Sequence, residues 1–457
     1  MGASIAYHLT ELGWNDVLLL ERHTLTSGTT WHAAGLVGQL RATHNMTRLA
    51  AYSADLYHRL EHEMGYPTGF KKVGSVSVAD NTERMEELVR GAGMARCFDV
   101  DVEVINNEQL VERWPLINPE GIVGGVWVPG DGQASPVDTT MALAAAAKAG
   151  GATIREGVSV SHIRTKDGRA IGVETDQGPI DAEYVVTAAG MWSHQLGRDA
   201  GVNIPLHACE HFYLVTEPIP DLPSGLPTLR DTDNCIYVKE DAGRLLIGAF
   251  EPVAKPFGEH GLPTDRPFMQ LDEDWDHLAP VYERACERVP ILSDIGIRLF
   301  FNGPEAFTPD DRYLLGATPE LENHFVATGF NSVGIQSAGG AGKVLAEWMV
   351  NGRPPMDLWD VDIRRAQPFQ TNRRYLRDRS VEALGLLYAM HWPFRQVETA
   401  RGVRKSPFFD RLNALGACHG EAGGWERPNW FAPAGVEPEY QYTYGRQNWF
   451  EHSAVEH

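Results

Sequence analysis

Positive charge is in short supply in this chain. Lys and Arg number 40 against 61 Asp and Glu, a formal net charge of -21 at neutral pH. An acidic surface repels phosphate backbones and anionic lipid and releases no counterions on meeting them, so neither nucleic acid nor a membrane surface is expected as a partner. Cysteine is scarce as well. Cys97, Cys209, Cys235, Cys286 and Cys418 are odd in number, scattered, and never form a Cys-x-x-Cys pair. They supply neither a disulfide framework nor a structural zinc site, so no metal is expected and a reducing compartment fits, the cytoplasm or, in a eukaryote, the mitochondrial matrix. Long apolar runs are missing too: nothing approaches the length of a membrane span, and the N-terminus lacks a basic region followed by an apolar one. What is present is an ordinary globular composition, 43% apolar and 22% charged over 457 residues, enough for two or three domains with a large core.

The chain opens on a helix and a strand. Ala3, Ile5, Ala6, Leu9 and Leu12 recur at helical spacing, Gly13 closes the helix, and Asp16 to Glu21 reads as a buried parallel strand. Gly2 stands where the third glycine of a Gly-x-Gly-x-x-Gly turn belongs, and Glu21 where the acid that binds ribose hydroxyls belongs. The strand and the two earlier glycines of such a unit would precede Met1, so a truncated or misplaced start is expected. The alternative is an ordinary helix-strand pair with a surface Glu.

The loop Ser27-Gly28-Thr29-Thr30-Trp31-His32-Ala33-Ala34-Gly35 follows. Its small residues let backbone approach a flat ligand, and Trp31 and His32 are the groups able to act on it specifically, so the cofactor is placed there. Helices are read at Thr47 to Gly65, around Met85, Leu88 and Val89, and from Ser135-Pro136 to Gly150; strands at Ser75 to Val78, Thr153 to Glu156, Val158 to Ile163 and Tyr184 to Gly190. Between His207 and Phe301 the texture turns to β-branched and aromatic strands, an antiparallel sheet inserted into the first domain. The alternating pattern returns at His324 to Gly329, with Gly334, Gly339, Gly340 and Gly342 read as a turn before a helix from Lys343 to Val350. Backbone N–H groups at that helix start would face an anionic or polarised ring system.

These features together resemble the flavin-dependent N-methylglycine dehydrogenases, the dimethylglycine and sarcosine enzymes of the glycine/D-amino-acid oxidase superfamily. The likeness is carried by Gly2 and Glu21, the loop Ser27 to Gly35, Val185 to Gly190 with Met191-Trp192, Asn302 to Asp310, and Gly329 to Gly334 leading into Ser337 to Gly340. It runs from the first residue to about Ile363. The resemblance implies an α/β fold, a Rossmann-like FAD-binding domain carrying an inserted antiparallel-sheet substrate domain. It divides the chain into FAD-binding parts at 1–70, 135–206 and 302–363, substrate parts at 71–134 and 207–301, and a C-terminal extension at 364–457 that opens a folate-type module.

The resemblance also implies site residues. FAD would be held by Gly2, Glu21, Arg22, Thr29, Thr30, Trp31 and Gly35 from the early part. Val158, Ala189, Gly190, Trp192, Gly329, Asn331, Gly334 and Ile335 would complete the cradle, with His32 joined covalently to the ring. His211 and Tyr237 match a substrate-pocket pair. A histidine titrating near neutrality beside a tyrosine would remove the proton from a cationic amine before hydride leaves its N-methyl carbon for FAD, giving an iminium. Without the family, each of these side chains could be satisfied by local partners. The substrate carboxylate ligand is unassigned, Arg41 being a candidate by its position after the loop. Electrons would pass to an electron-transfer flavoprotein or to oxygen, and tetrahydrofolate would enter only with a further C-terminal module. Two other readings stay open: a non-catalytic regulator like the regulatory subunit of pyruvate dehydrogenase phosphatase, and an oxidase of another small amino acid. Arg373, Arg374, Arg377 and Arg379, with Trp425 to Phe431 and Tyr440, Tyr442 and Tyr444, read as a docking surface or as a strap over the main domain.

Overall fold

The computed structural model describes residues 1–392 and 394–456. The apolar stripe of Ala3, Ile5, Ala6 and Leu9 is buried along the helix Gly2–Glu11, which ends ahead of a left-handed Gly13 at φ +89°. The next strand, Leu18–Glu21, pairs in parallel with Thr153–Glu156. It is shorter than the sequence suggests and not fully buried, with Leu18 37% exposed, because the side away from Thr153–Glu156 lines a cavity. Across that cavity stands a second parallel pair, Val185–Thr187 with His324–Thr328, extended antiparallel by Leu314–Ala317.

The helix Gly334–Asn351 packs against both His44–His62 and Gly2–Glu11. Here the late glycines play a different part from the one expected. The helix begins at Gly334 rather than Lys343, and Gly339, Gly340 and Gly342 lie inside it. A Cβ on Gly340 would fall 2.2 Å from Leu49 O, and one on Gly342 would fall 2.2 Å from Ser4 Oγ. These glycines let three helices touch backbone to backbone; the ligand-facing end of the helix is its first turn.

A nine-stranded sheet forms the other half. Its strands run in the order Pro256–Phe257, His207–Thr216, Arg244–Ala249, Ile236–Asp241, Thr228–Asp231, Ser75–Ala79, Gly124–Val128 and Glu103–Ile105, and Ile297–Phe307 pairs with His207–Thr216. That last strand runs six residues past the Phe301 end read from sequence. Gly303-Pro304 looks like a break, but the strand pairs on one side alone, so proline's missing N–H costs no ladder bond there. The helix Trp275–Arg288 covers the sheet through Leu278, Val281 and Ala285. Arg288 joins its end to the sheet, with Nε 2.7 Å from the fully buried Asp231 and Nη2 2.5 Å from Asp80.

The C-terminal segment Arg373–Leu386 is a strap. Leu376, Ala383 and Leu384 are buried, and Arg379 turns inward to meet Glu421 at 2.7 Å. Beyond it Trp425–Phe431 is the central strand of a small three-stranded sheet. The architecture is thus α/β, a Rossmann-like half joined to an antiparallel-sheet half. Among the described residues no helix is long and apolar enough to cross a membrane, and no His, Cys, Asp and Glu cluster could hold a metal ion.

Candidate functional site

One cavity of about 1300 Å³ spans both halves. Small-molecule sites commonly hold roughly 300–1,000 Å³, so this one has room for a dinucleotide and a substrate together. In the α/β half its wall includes Gly2, Leu18 to Arg22, Val158 and Tyr184 to Trp192. In the middle come Thr29, Thr30, His32 and Gly35, and from the opposite side Gly329 to Gln336. The antiparallel half adds His211, Tyr213, Arg230, Tyr237, Phe250 and Glu305.

A group such as FAD fits the first part. The helix Gly2–Glu11 presents its N-terminal turn to the cavity, the arrangement that favours phosphate, and Glu21 stands at the end of the following strand. Gly2 packs close to Leu19, where a Cβ would come to 3.4 Å from Cδ1, ordinary van der Waals contact. Gly190 takes φ +54° with open space where a Cβ would be, as a cradle against a ligand requires. Arg22 lies over the Trp192 ring at 5.2 Å, and Trp192 Nε1 donates to Pro263 O, so both side chains are fixed at the rim.

The loop closes into a 3-10 turn, Thr29–His32. His32 is 6% exposed, stacks on Phe301 at 4.7 Å and meets Trp31 edge-on at 5.7 Å. Burial and the nearby His211 lower its pKa to about 3, so its imidazole is neutral. Trp31, by contrast, is absent from the cavity wall. It packs edge-on against Phe268 and Phe301, behind His32. Asn331 lines the cavity, yet its side chain works on the backbone: it accepts from Thr308 N at 2.7 Å and donates to Gly329 O at 2.8 Å. This holds Asn331 and Ser332 in left-handed conformations, φ +47° and +60°, uncommon for non-glycine residues.

Strand register builds the other part. His211 lies opposite Gly303, and Tyr237 opposite Gly248, where a Cβ would sit 1.9 Å from the Tyr237 ring. His211 Nε2 is 3.3 Å from Ser332 Oγ, and its Nδ1 is buried without a partner among the described residues. The expected titration of His211 near neutrality is corrected here: burial lowers its pKa to about 4, because the apolar surroundings penalise the imidazolium. Tyr237 is pushed well above its ordinary value by the same cause. The carboxyl that does sit near neutrality is Glu305, raised to about 7 by burial despite a hydrogen bond with Ser332.

Arg41 lines the cavity, as does Arg230, directly opposite Tyr237 in register. Among the described residues neither guanidinium has a side-chain hydrogen bond or ion pair, and Arg230 Nε is buried without a partner. Leu387 and Tyr388 close this end from the strap, Tyr388 packing on Phe250 at 4.5 Å with its carbonyl held by Arg84 Nη2. Sequence reasoning passed over Arg230, Glu305, Ser332 and Tyr388. Glu305 and Ser332 lie within the quoted motifs, and Arg230 was findable by pairing Thr228–Asp231 with Ile236–Asp241 as a hairpin. Nothing local points to Tyr388.

Residues 1–348 match the family model described as FAD dependent oxidoreductase (DAO), and 351–406 match the FAD dependent oxidoreductase central domain. The chain is 45% identical over its whole length to 4-methylaminobutanoate oxidase (formaldehyde-forming) of Paenarthrobacter nicotinovorans, covering 55% of that protein. It is 39% identical to the mitochondrial pyruvate dehydrogenase phosphatase regulatory subunit of Mus musculus over 99% of this chain and 52% of that one. It is 38% identical to mitochondrial sarcosine dehydrogenase of Homo sapiens over 97% and 49%. The chain thus spans about half the length of the curated relatives it matches. Among solved structures, glycine oxidase from Geobacillus kaustophilus superposes with a TM-score of 0.68 at 26% identity, covering 80% of this chain and 96% of that one. With the DAO model running through both halves that line the cavity, the chain belongs to the FAD dependent oxidoreductase family.

Proposed function

We propose that the protein is an FAD-dependent enzyme that oxidatively demethylates a small N-methylated amino acid of the dimethylglycine and sarcosine type. The observation that carries this reading is that neutral His32 from one half and His211, Tyr237 and Glu305 from the other face a single cavity. FAD, when bound, supplies the acceptor for the hydride lost from the substrate's N-methyl carbon.

Gly2, Glu21 and Arg22 hold the nucleotide end, with Val158, Ala189, Gly190 and Trp192 around it. Thr29, Thr30, Gly35, Gly329, Gly334 and Ile335 hold the ring end. His32 is the covalent attachment point: kept neutral by burial, its imidazole nitrogen is free to act as a nucleophile. Trp31 acts behind the wall, fixing His32, and Asn331, in the wall, fixes the turn before Gly334. Arg41 and Arg230, unpaired in the wall, take the substrate carboxylate, and Tyr388 bounds the space left for its chain. An electron-transfer flavoprotein or oxygen receives the electrons.

The regulatory subunit among the relatives poses the alternative of a non-catalytic protein. Retention of His32, His211 and Tyr237 with two unpaired arginines favours an enzyme, since a regulator has no use for such a constellation.

Purified flavoprotein precipitated with acid should stay yellow, and His32→Ala should lose the colour to the supernatant. Dimethylglycine, sarcosine or 4-methylaminobutanoate should bleach the flavin anaerobically. Indifference to all three would remove the assignment.

A further inference from the structure

Most buried acids of the antiparallel sheet meet a cation, and Glu240, which does not, accepts from the backbone N–H groups of Gly225 and Gly243. Asp231 meets Arg288, Glu210 lies 3.5 Å from Lys255, and Glu251 lies 3.2 Å from His277. Glu305 is 5% exposed, lines the cavity, and makes no salt bridge among the described residues. Its hydrogen-bond partner is Ser332, which is also 3.3 Å from His211 Nε2. Ser332 occupies that place because the Asn331 side chain holds two successive left-handed residues, a costly conformation retained at a cavity wall.

The ionisable neighbours offer Glu305 no positive charge. From the paired strand come His211, neutral with a pKa near 4, Tyr213, raised to about 12, and Cys209, directly opposite and likewise raised by burial. Tyr237 on the next hairpin is raised well above its ordinary value, and His32 behind Gly303 is neutral. Arg41 and Arg230 line the same cavity without pairing to it. A buried carboxylate with no counter-charge is costly, so a cation supplied by a ligand is what completes the site.

We infer that Glu305 is the residue that receives the substrate's ammonium, its carboxylate pairing with the cationic nitrogen and then taking its proton. This rests on the amine-oxidising reading above. In the step the ammonium N–H bond breaks, an O–H bond forms on Glu305, and the electron pair stays on nitrogen, where loss of hydride from the adjacent carbon requires it. His211 Nε2 lies 3.3 Å from Ser332 Oγ, and interaction with Ser332 lowers the Glu305 pKa against the effect of burial, so both are positioning residues for the carboxylate. The ligand class is a small amine that arrives as a cation bearing a carboxylate, with Glu305 and the Arg41 and Arg230 pair on the two charges.

The test compares two non-oxidisable ligands on the flavin-loaded protein by calorimetry. Trimethylglycine carries a permanent cation, and 3,3-dimethylbutanoate replaces that nitrogen with carbon at the same shape. At pH 8 the parent protein should prefer the cation by roughly tenfold or more, and Glu305→Gln should abolish the preference while leaving 3,3-dimethylbutanoate unchanged. A purely structural role would weaken both ligands alike. In stopped-flow reduction by dimethylglycine, kcat/KM should rise with pH through an apparent pKa near 7. Glu305→Gln should lose that limb together with about 100-fold in rate. Ser332→Ala should keep the limb and move it upward, because it removes a hydrogen bond to the ionised form, and this variant serves if Glu305→Gln fails to fold. Unchanged ligand preference and an intact pH limb in Glu305→Gln, or an unmoved limb in Ser332→Ala, would overturn the inference. A parent protein that no amine reduces would sink the amine-oxidising reading instead, and the two-ligand comparison would still report on Glu305.

Discussion

At the scale of single residues, the site is made by what surrounds each group. His32 and His211 have the same side chain as an exposed histidine, yet burial holds their pKa values near 3 and 4, while Glu305 is moved the other way to about 7. The family resemblance pointed to His32, His211 and Tyr237 as positions; it could not give their protonation, which depends on desolvation by residues from other strands. Trp31 shows the same limit, since adjacency to His32 in sequence put it on the ligand while packing put it behind. Space around Tyr237 gives a prediction at this scale. Gly248→Ala places a Cβ 1.9 Å from the Tyr237 ring, so the ring or the strand must move. Loss of about 1–3 kcal/mol of stability is expected from denaturant titration, with a fall in turnover accompanying it.

At the scale of elements, helices and strands with clean periodicity were legible, and their ends and contacts were less so. The stripe in Gly2–Glu11 and the caps of Pro136–Ala149, where Ser135 Oγ accepts from Asp138 N, are local signals that read directly. The glycines of Gly334–Asn351 misled, because glycine marks either a turn or a close helix crossing and the neighbouring helix decides which. Ordinarily Gly→Ala inside a helix gains up to about 1 kcal/mol. Gly340→Ala is expected to do the opposite, since its Cβ meets the Leu49 backbone at 2.2 Å. A melting temperature lowered by several degrees, with weaker flavin retention from the disturbed helix start at Gly334, is the expected outcome. A melting temperature raised by this change would show that the helices part without cost.

At the scale of the whole molecule, buried titrating groups from both halves set how stability follows pH. His8, His32, His211 and His324 all have pKa values lowered by burial, to about 4, 3, 4 and 4. The unfolded chain therefore binds more protons below the ordinary histidine value of 6.5, and stability should fall as pH drops from 6.5 toward 4. The loss approaches about 1.4 kcal/mol per pH unit for each histidine, readable as a falling urea midpoint. Glu305 has the reverse sign: raised from 4.5 to about 7, it costs stability as pH rises through that window. Glu305→Gln should thus gain most over the parent at pH 8 and little at pH 4.5, by the same titration. The sequence alone determined the fold class, the acidic surface, the early loop and the family likeness, because these rest on local periodicity, composition and short motifs. The tertiary structure alone decided that Arg230, Glu305, Ser332 and Tyr388 share one cavity with His32. Strand register and a strap from the far end of the chain bring them together, and no stretch of neighbouring residues encodes a contact across hundreds of positions.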